Sequence, residues 1–262
     1  MACHVAYVGP EITLAELLWP GQRGALQASM QTELQRGAAL PNGAGFGFGW
    51  YGAKPEALSY RRSEPIGSDH NLAAVAGHLR SDFWMAATRS FAMTHPGGYV
   101  NAQPFAADTL LFSHDGAIEH FRPQMRKHIQ NVLAPEIEAD IQGSSDSEYL
   151  FALIRQVYQG GTTGNLEDTL IEALNLLDSW LVTGQGATFN TLLCDGESLV
   201  AARYASDAAC PGLYFATDEE AFPDGAVIVA SEPLTQSATW HAVPENHLLV
   251  VLEDAPPELI PL

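Results

Sequence analysis

The sequence predicts an α+β fold in which two β-sheets lie between helical layers. Three observations predict it. Strand-like segments open the chain, helical segments fill its middle and strands return in the last third, an order that fits stacked layers and not alternating βαβ units. The segment Gly45–Tyr51 alternates glycine with aromatic residues, so one face of that strand is bare and something packs closely over it. Apolar residues make up 47% of 262, enough for a large core in one unit spanning 1–262.

The first strand is expected at His4–Gly9, almost at the start. Amphipathic helices follow near Leu14–Trp19 and Leu26–Arg36, ahead of the glycine-aromatic strand. A helix over Asn71–Arg80 leads to an apolar strand, Phe83–Arg89. Thr109–Ser113 reads as a strand that ends in a turn at His114-Asp115-Gly116. Ser145-Asp146 reads as the cap of a helix running to about Gln159, with Glu148 in its first turn, and a second helix spans Leu166–Leu181. Strands then follow at Thr188–Cys194, Ser198–Tyr204, Leu213–Ala216, Ala226–Ser231 and His247–Leu252, with a hairpin turn at Asp195-Gly196.

Charge narrows the partners. Lys+Arg number 12 against 31 Asp+Glu, a net charge of -19, and the only lysines are Lys54 and Lys127. Such a surface repels phosphate backbones and anionic lipid, so neither nucleic acid nor membrane is an expected partner. No run of about eighteen apolar residues is present, and the N-terminus lacks the pattern of a secretory signal. Three cysteines, Cys3, Cys194 and Cys210, without a CxxC, argue against a zinc site or a disulfide scaffold and fit a reducing cytoplasm.

No P-loop, HExxH, GxSxG or helix-opening GxGxxG occurs. The histidines are scattered; His4 reads as a satisfied core residue, His78 as solvated, and His114 as a strand-end residue near a site. More telling are the polar residues at strand ends and helix starts. Arg89 ends one strand, Asp115-Gly116 follow another, and Asp146 opens a helix, whose N-terminus favours negative charge. An arginine and an aspartate facing one cleft grip an α-amino-acid zwitterion; the same two residues also make an ordinary salt bridge beside a helix cap.

Taken in order, these pieces resemble the class II glutamine amidotransferases of the N-terminal nucleophile hydrolase superfamily, and within it the γ-glutamyl amidohydrolases of the ergothioneine pathway. Met1-Ala2-Cys3-His4-Val5-Ala6-Tyr7-Val8-Gly9-Pro10 is similar to that subgroup's Met-Cys-Arg-His-Leu-Ala-Tyr-Leu-Gly-Pro. Asn42–Tyr51, Ala87-Thr88-Arg89-Ser90, Asn101-Ala102-Gln103-Pro104-Phe105, Phe112–Gly116, Ser145-Asp146-Ser147-Glu148 and Val229–Pro233 follow in register. The resemblance implies a four-layer αββα sandwich and no cofactor. It implies an N-terminal cysteine nucleophile whose own α-amine is the base. It places that nucleophile at position 2, the oxyanion site at Asp115 and Gly116, carboxylate binding at Arg89 and amine binding at Asp146, with Ser90, His114 and Ser145 beside them on the substrate side. The expected partner is a small γ-glutamyl molecule; oligomeric state, a homo-oligomer included, is left open.

The chain departs from the pattern where the chemistry is. Position 2 is Ala2, which carries no nucleophile. A cysteine exchanged for alanine by design, a natural non-catalytic relative, and trimming of Met1 and Ala2 to expose Cys3 each account for it, although Cys3 lies one residue along a strand and so on its other face. Asp115 stands where the family has the oxyanion asparagine, Ala44 where it has aspartate and Gln103 where histidine is common. An ionised carboxylate accepts hydrogen bonds and donates none, so Asp115 opposes a developing oxyanion. Since the resemblance covers almost the whole chain, it implies a stand-alone γ-glutamyl amide hydrolase, inactive with Ala2. The rivals are a γ-glutamyl-binding or regulatory subunit without chemistry, and a structural relative that binds nothing.

Overall fold

The computed structural model describes residues 2–19, 44–64, 66–90, 98–161, 164–182, 185–206, 209–253 and 255–262; for Ala2, Ala44, Arg89 and Ser90 it describes the backbone only. The helix expected at Leu26–Arg36 and the segment Thr94–Gly97 lie outside these residues.

The described residues form two antiparallel sheets. The first contains β1 (Ala2–Thr13), β2 (Ala44–Tyr51), β3 (Ala57–Arg62), β4 (Arg80–Ser90), β9 (Tyr214–Thr217), β10 (Val227–Ala230) and β11 (Trp240–Ala242), in the order β11-β9-β10-β1-β4-β2-β3. The second contains β5 (Phe105–Ala107), β6 (Leu110–Ile118), β7 (Ala187–Cys194), β8 (Ser198–Ser206), β12 (His247–Leu252) and β13 (Glu258–Pro261), in the order β13-β12-β8-β7-β6-β5. The helices are α1 (Leu14–Leu18), α2 (Leu72–Ala76), α3 (Arg126–Val132), α4 (Pro135–Asp140), α5 (Asp146–Gln159) and α6 (Leu166–Trp180).

Strand periodicity sorts the core into three apolar layers. Val5, Tyr7, Phe46, Phe48, Trp84 and Ile228 pack outward from the first sheet against Leu14, Leu17 and Leu18 of α1 and Leu72 of α2. Ala6, Phe83, Met85 and Val229 of the first sheet meet Leu111, Leu192, Leu199 and Leu249 of the second. Phe112, Phe189, Leu193 and Val200 face the other way, onto Leu150, Leu153 and Ile154 of α5 and Leu170 and Leu174 of α6. The result is the predicted αββα sandwich.

The glycine-aromatic strand behaves as its pattern requires. Phe46 and Phe48 fill the outer layer, while Gly47 and Gly49 face the second sheet. A Cβ on Gly47 would lie 2.4 Å from the Gln103 carbonyl, and one on Gly49 would lie 2.6 Å from Leu111 Cδ2.

Three expectations need correction. The helix expected over Asn71–Arg80 covers only Leu72–Ala76, because Arg80 already opens β4, which pairs with Thr13 of β1. The turn expected at His114-Asp115-Gly116 is absent: β6 runs through to Ile118, paired with β7 along its length. Gly116 is there for space, since a Cβ would lie 1.9 Å from the Thr188 carbonyl oxygen and 2.5 Å from His114 Nε2. The short strands β3, β5, β11 and β13 and the helices α3 and α4 have no counterpart in the sequence reading. The cap at Ser145 is as expected, with its Oγ accepting from the Glu148 N–H at 3.2 Å.

Candidate functional site

Residues that bear on chemistry gather where β1 and β4 of one sheet overlie β6 and β7 of the other. Ala2 pairs with Arg89 across β1 and β4, and Gly45 of β2 pairs with Arg89 from the other side. Position 2 shares the pleat parity of His4 and Ala6, the face turned to the second sheet. Cys3 is buried and shares the parity of Val5 and Tyr7, which pack on α1, so the strand directs it away from the inter-sheet space. None of the three cysteines is in a disulfide.

On the facing sheet, Leu111, Ser113 and Asp115 occupy alternate positions of β6 and turn toward β1. Asp115 is half-buried and lies directly opposite Asn190 of β7. Asp146, the first residue of α5, is fixed to the same region: its Oδ2 accepts the Ile118 N–H at 3.1 Å and its Oδ1 accepts the Ser147 N–H at 2.9 Å. Asp115, Gly116 and Asp146 therefore meet at the C-terminal end of β6, and Arg89 pairs with position 2 on the opposite sheet. The side chains of Ala2, Arg89 and Ser90 lie outside the described residues, so an Arg89–Asp146 contact is not described.

His114 and Ser145 are placed differently. His114 lies mid-strand on the helix-facing side of β6, fully buried. Its Nε2 donates to the Thr188 carbonyl at 3.1 Å, which leaves Nδ1 to accept from Ser147 Oγ at 3.0 Å. It thus ties the first turn of α5 to β6 and β7 and supports Asp146 from behind. Ser145 is occupied as the helix cap. Burial raises the Glu148 carboxyl pKa, although two backbone donors, Gln142 N–H at 2.9 Å and Gly143 N–H at 2.7 Å, oppose that rise.

The sequence reading missed a polar network that joins the two sheets. Ser113 Oγ and the His114 N–H both donate to Gln103 Oε1, at 3.0 and 2.6 Å, while Gln103 Nε2 donates to the His114 carbonyl at 3.1 Å. With its proton spent on Gln103, Ser113 Oγ accepts from His4 Nδ1–H at 3.1 Å. The backbone of His4 is held in turn by Ser231: His4 N–H donates to Ser231 Oγ at 3.0 Å, and Ser231 N–H donates to the His4 carbonyl at 3.1 Å. His4 is therefore a neutral Nδ1–H tautomer. Burial, reinforced by the nearby His114, lowers its pKa to about 3. The expectation that His4 is satisfied holds for one nitrogen only, because Nε2 is buried with no partner.

Asn190 shows the same pattern. Its Nδ2 donates to the Gly212 carbonyl at 2.7 Å, which fixes the amide orientation, and its Oδ1 is buried without a partner. The available signal was the alternation Thr188, Asn190, Leu192, Cys194, which runs polar to apolar along one face of β7.

Comparison with known proteins places the chain in a family. The family model for class II glutamine amidotransferases matches residues 25–210. The chain is 27% identical to a γ-glutamyl-hercynylcysteine sulfoxide hydrolase of Mycolicibacterium smegmatis, over 96% of this chain and 96% of that protein. It is 27% identical to the probable glutamine amidotransferase DUG3 of Saccharomyces cerevisiae, over 92% of this chain and 78% of that protein. Among solved structures, a glutamine aminotransferase class-II domain protein from Silicibacter pomeroyi superposes with a TM-score of 0.66 at 25% identity, covering 99% of this chain and 100% of that one. With the two sheets, their helical layers and the family match agreeing over most of its length, the chain belongs to the class II glutamine amidotransferases, and its fold is the N-terminal nucleophile sandwich.

Proposed function

We propose that this chain is a γ-glutamyl amide hydrolase scaffold whose nucleophile position is vacated by Ala2, so that it binds γ-glutamyl amides without cleaving them. The observation that carries this reading is the convergence of position 2, paired with Arg89, and of Asp115, Gly116 and Asp146 on one end of the sandwich. The γ-glutamyl substrate named for the M. smegmatis relative supports the choice of substrate class. Arg89 receives the glutamyl α-carboxylate, Asp146 the α-ammonium, and Gly116 N–H the scissile carbonyl oxygen.

A cysteine at position 2, exposed by loss of Met1, attacks the γ-carbonyl carbon through sulfur while its α-amine takes the thiol proton. The C–N bond then breaks, the amine leaves with that proton, and water hydrolyses the thioester to glutamate. Ala2 removes the first step. Cys3 does not replace it, because β1 turns that residue to the outer layer.

The test is glutamate release from a panel of γ-glutamyl amides, L-glutamine included, by the Ala2 chain and by Ala2→Cys. Release only after Ala2→Cys is expected. No release from any member by either protein would leave a γ-glutamyl-binding subunit, the reading that Asp115 at the oxyanion position favours. Release by the Ala2 chain would overturn the role given to position 2.

A further inference from the structure

A cavity of about 300 Å³ opens where the edge strands β3 and β5 of the two sheets meet α5. Arg61 of β3 lines it from the first sheet, Phe105 of β5 from the second, and Glu148, Phe151, Ala152 and Arg155 from α5. Asp115, Gly116 and Asp146 do not line it, so it is separate from the site described above. At one end Arg155 is answered by two carboxylates that are otherwise in solvent: Nη2 lies 2.9 Å from Asp140 Oδ2 and 3.8 Å from Asp108 Oδ2. Arg61 and Glu148 are left at the other end. Arg61 Nη1 donates to the Ala102 carbonyl at 3.2 Å, Tyr99 is a further hydrogen-bond partner, and the guanidinium carbon lies 5.1 Å from the Tyr99 ring centre. Glu148 accepts from two neutral backbone donors, Gln142 N–H and Gly143 N–H. Neither Arg61 nor Glu148 forms an ion pair with a described residue.

Two opposite charges taken out of water and held apart are both under-compensated. Each feels the other, yet burial outweighs that attraction: it lowers the Arg61 pKa and raises the Glu148 pKa. We infer that this cavity binds a free α-amino acid, with its carboxylate on Arg61 and its α-ammonium on Glu148. A guanidinium has five N–H donors, so Arg61 keeps donors beyond those given to the protein, and each Glu148 oxygen keeps a lone pair beyond its backbone bond. A simple anion would meet Glu148 and a simple cation would meet Arg61, whereas a zwitterion meets both with the right sign. Water brings charge to neither. Glu148 and Arg155 are seven residues apart on α5, a rise of about 10 Å, and Phe151 and Ala152 line the space between them, which leaves room for a side chain.

The inference does not rest on the hydrolase reading. Glycine, L-leucine and L-glutamine are titrated into the Ala2 chain at neutral pH and followed by protein-observed NMR. The best of the three is then compared with the same molecule lacking its amine and with the same molecule lacking its carboxylate. Sodium chloride holds ionic strength constant, because a surface of net charge -19 attracts any cation. Saturable binding of at least one amino acid is expected, at least tenfold tighter than either analogue. Arg61→Gln and Glu148→Gln should each weaken it tenfold or more, and Asp146→Asn should leave it unchanged. Should either charge variant fail to fold, Ala152→Leu fills the cavity without altering its charges and is expected to abolish binding. No saturable binding of any of the three, an analogue that binds as tightly as its amino acid, or full binding in Ala152→Leu would overturn the proposal. So would binding lost in Asp146→Asn and kept in Arg61→Gln, which would put the amino acid in the γ-glutamyl site. Failure of Ala2→Cys to release glutamate would sink the hydrolase reading and leave this one standing.

Discussion

The two ends of the same strand sandwich are built on opposite terms. Along β1 and β6, Ala6 and Leu111 join Met85, Leu192 and Val229 in a dry apolar cluster that holds the sheets together by burial. A few residues away, on the same strands and the same faces, His4, Ser113 and Asp115 replace them, with Asn190 alongside. Register and pleat do not change between the two ends; only the side chains do. At the apolar end the Tyr51 hydroxyl is satisfied, donating to the Thr109 carbonyl at 2.8 Å. The polar end keeps His4 Nε2 and Asn190 Oδ1 buried and unpaired, a cost that packing alone does not explain. That asymmetry marks the polar end as the working part.

The largest way to sharpen the contrast is to restore chemistry at the polar end. Ala2→Cys is expected to take glutamate release from none to measurable. In that background Asp115→Asn supplies an oxyanion donor and is expected to raise kcat about 10²–10³-fold on L-glutamine, the range typical of one such donor. If kcat falls or stays flat, Asp115 is not at the oxyanion position.

Much of this was legible in the sequence, and the limits were physical. Gly45–Tyr51 announced its bare face because period two is written directly in the residues, and the Ser145 cap because side chain and helix start are neighbours in sequence. The strand through His114-Asp115-Gly116 was misread because a glycine that makes room for Thr188 O looks the same as one that turns a chain. The orphaned acceptors were invisible because each depends on a distant partner: Ser113 is 109 residues from His4, and the partner residue 22 positions from Asn190 is a backbone carbonyl. Cys3 was assigned to the wrong face for catalysis by strand parity alone, and the packing of its parity mates Val5 and Tyr7 on α1 agrees.

The buried imidazole offers the next test. A histidine whose pKa falls from 6.5 to about 3 on folding binds its proton more tightly when unfolded. Its neutral form therefore stabilises the fold fully above about pH 6.5, and that contribution is lost as pH falls toward 3. A shift of this size corresponds to about 5 kcal/mol over the whole window. Carboxylates with lowered pKa, Glu16 through the Thr13 donors and Asp69 through Tyr60, lose stability in the same direction but only below about pH 4.5. Urea midpoints between pH 6.5 and 4.5 should thus fall relative to those of His4→Gln, in which the raised carboxyls of Glu148 and Glu167 are left to act in the opposite direction. An equal decline in both would assign the slope elsewhere.

Two glycines separate backbone from side-chain crowding across the sandwich. Gly116→Ala drives a methyl into the Thr188 carbonyl and the His114 ring, neither able to retreat, and is expected to cost about 3 kcal/mol. Gly49→Ala, at the apolar end, meets the two methyl carbons of Leu111, which can rotate, and Pro104 Cγ at 3.1 Å, and should cost about 1 kcal/mol. Denaturant unfolding gives both values. Equal costs would mean that the polar end is no stiffer than the apolar one.

The smallest effect divides two neighbours at the start of α5. Ser145 Oγ serves the Glu148 N–H, whereas Asp146 reaches back to Ile118 at the end of β6. Ser145→Ala removes a cap and should cost about 1 kcal/mol of stability, read from urea unfolding, with γ-glutamyl binding unchanged. Asp146→Asn keeps one acceptor for the backbone but removes the charge offered to an α-ammonium, so it should weaken γ-glutamyl binding at least tenfold with a smaller change in stability. If Ser145→Ala weakens binding as much as Asp146→Asn does, the cap itself touches the ligand, and the helix start contributes two groups to the site instead of one.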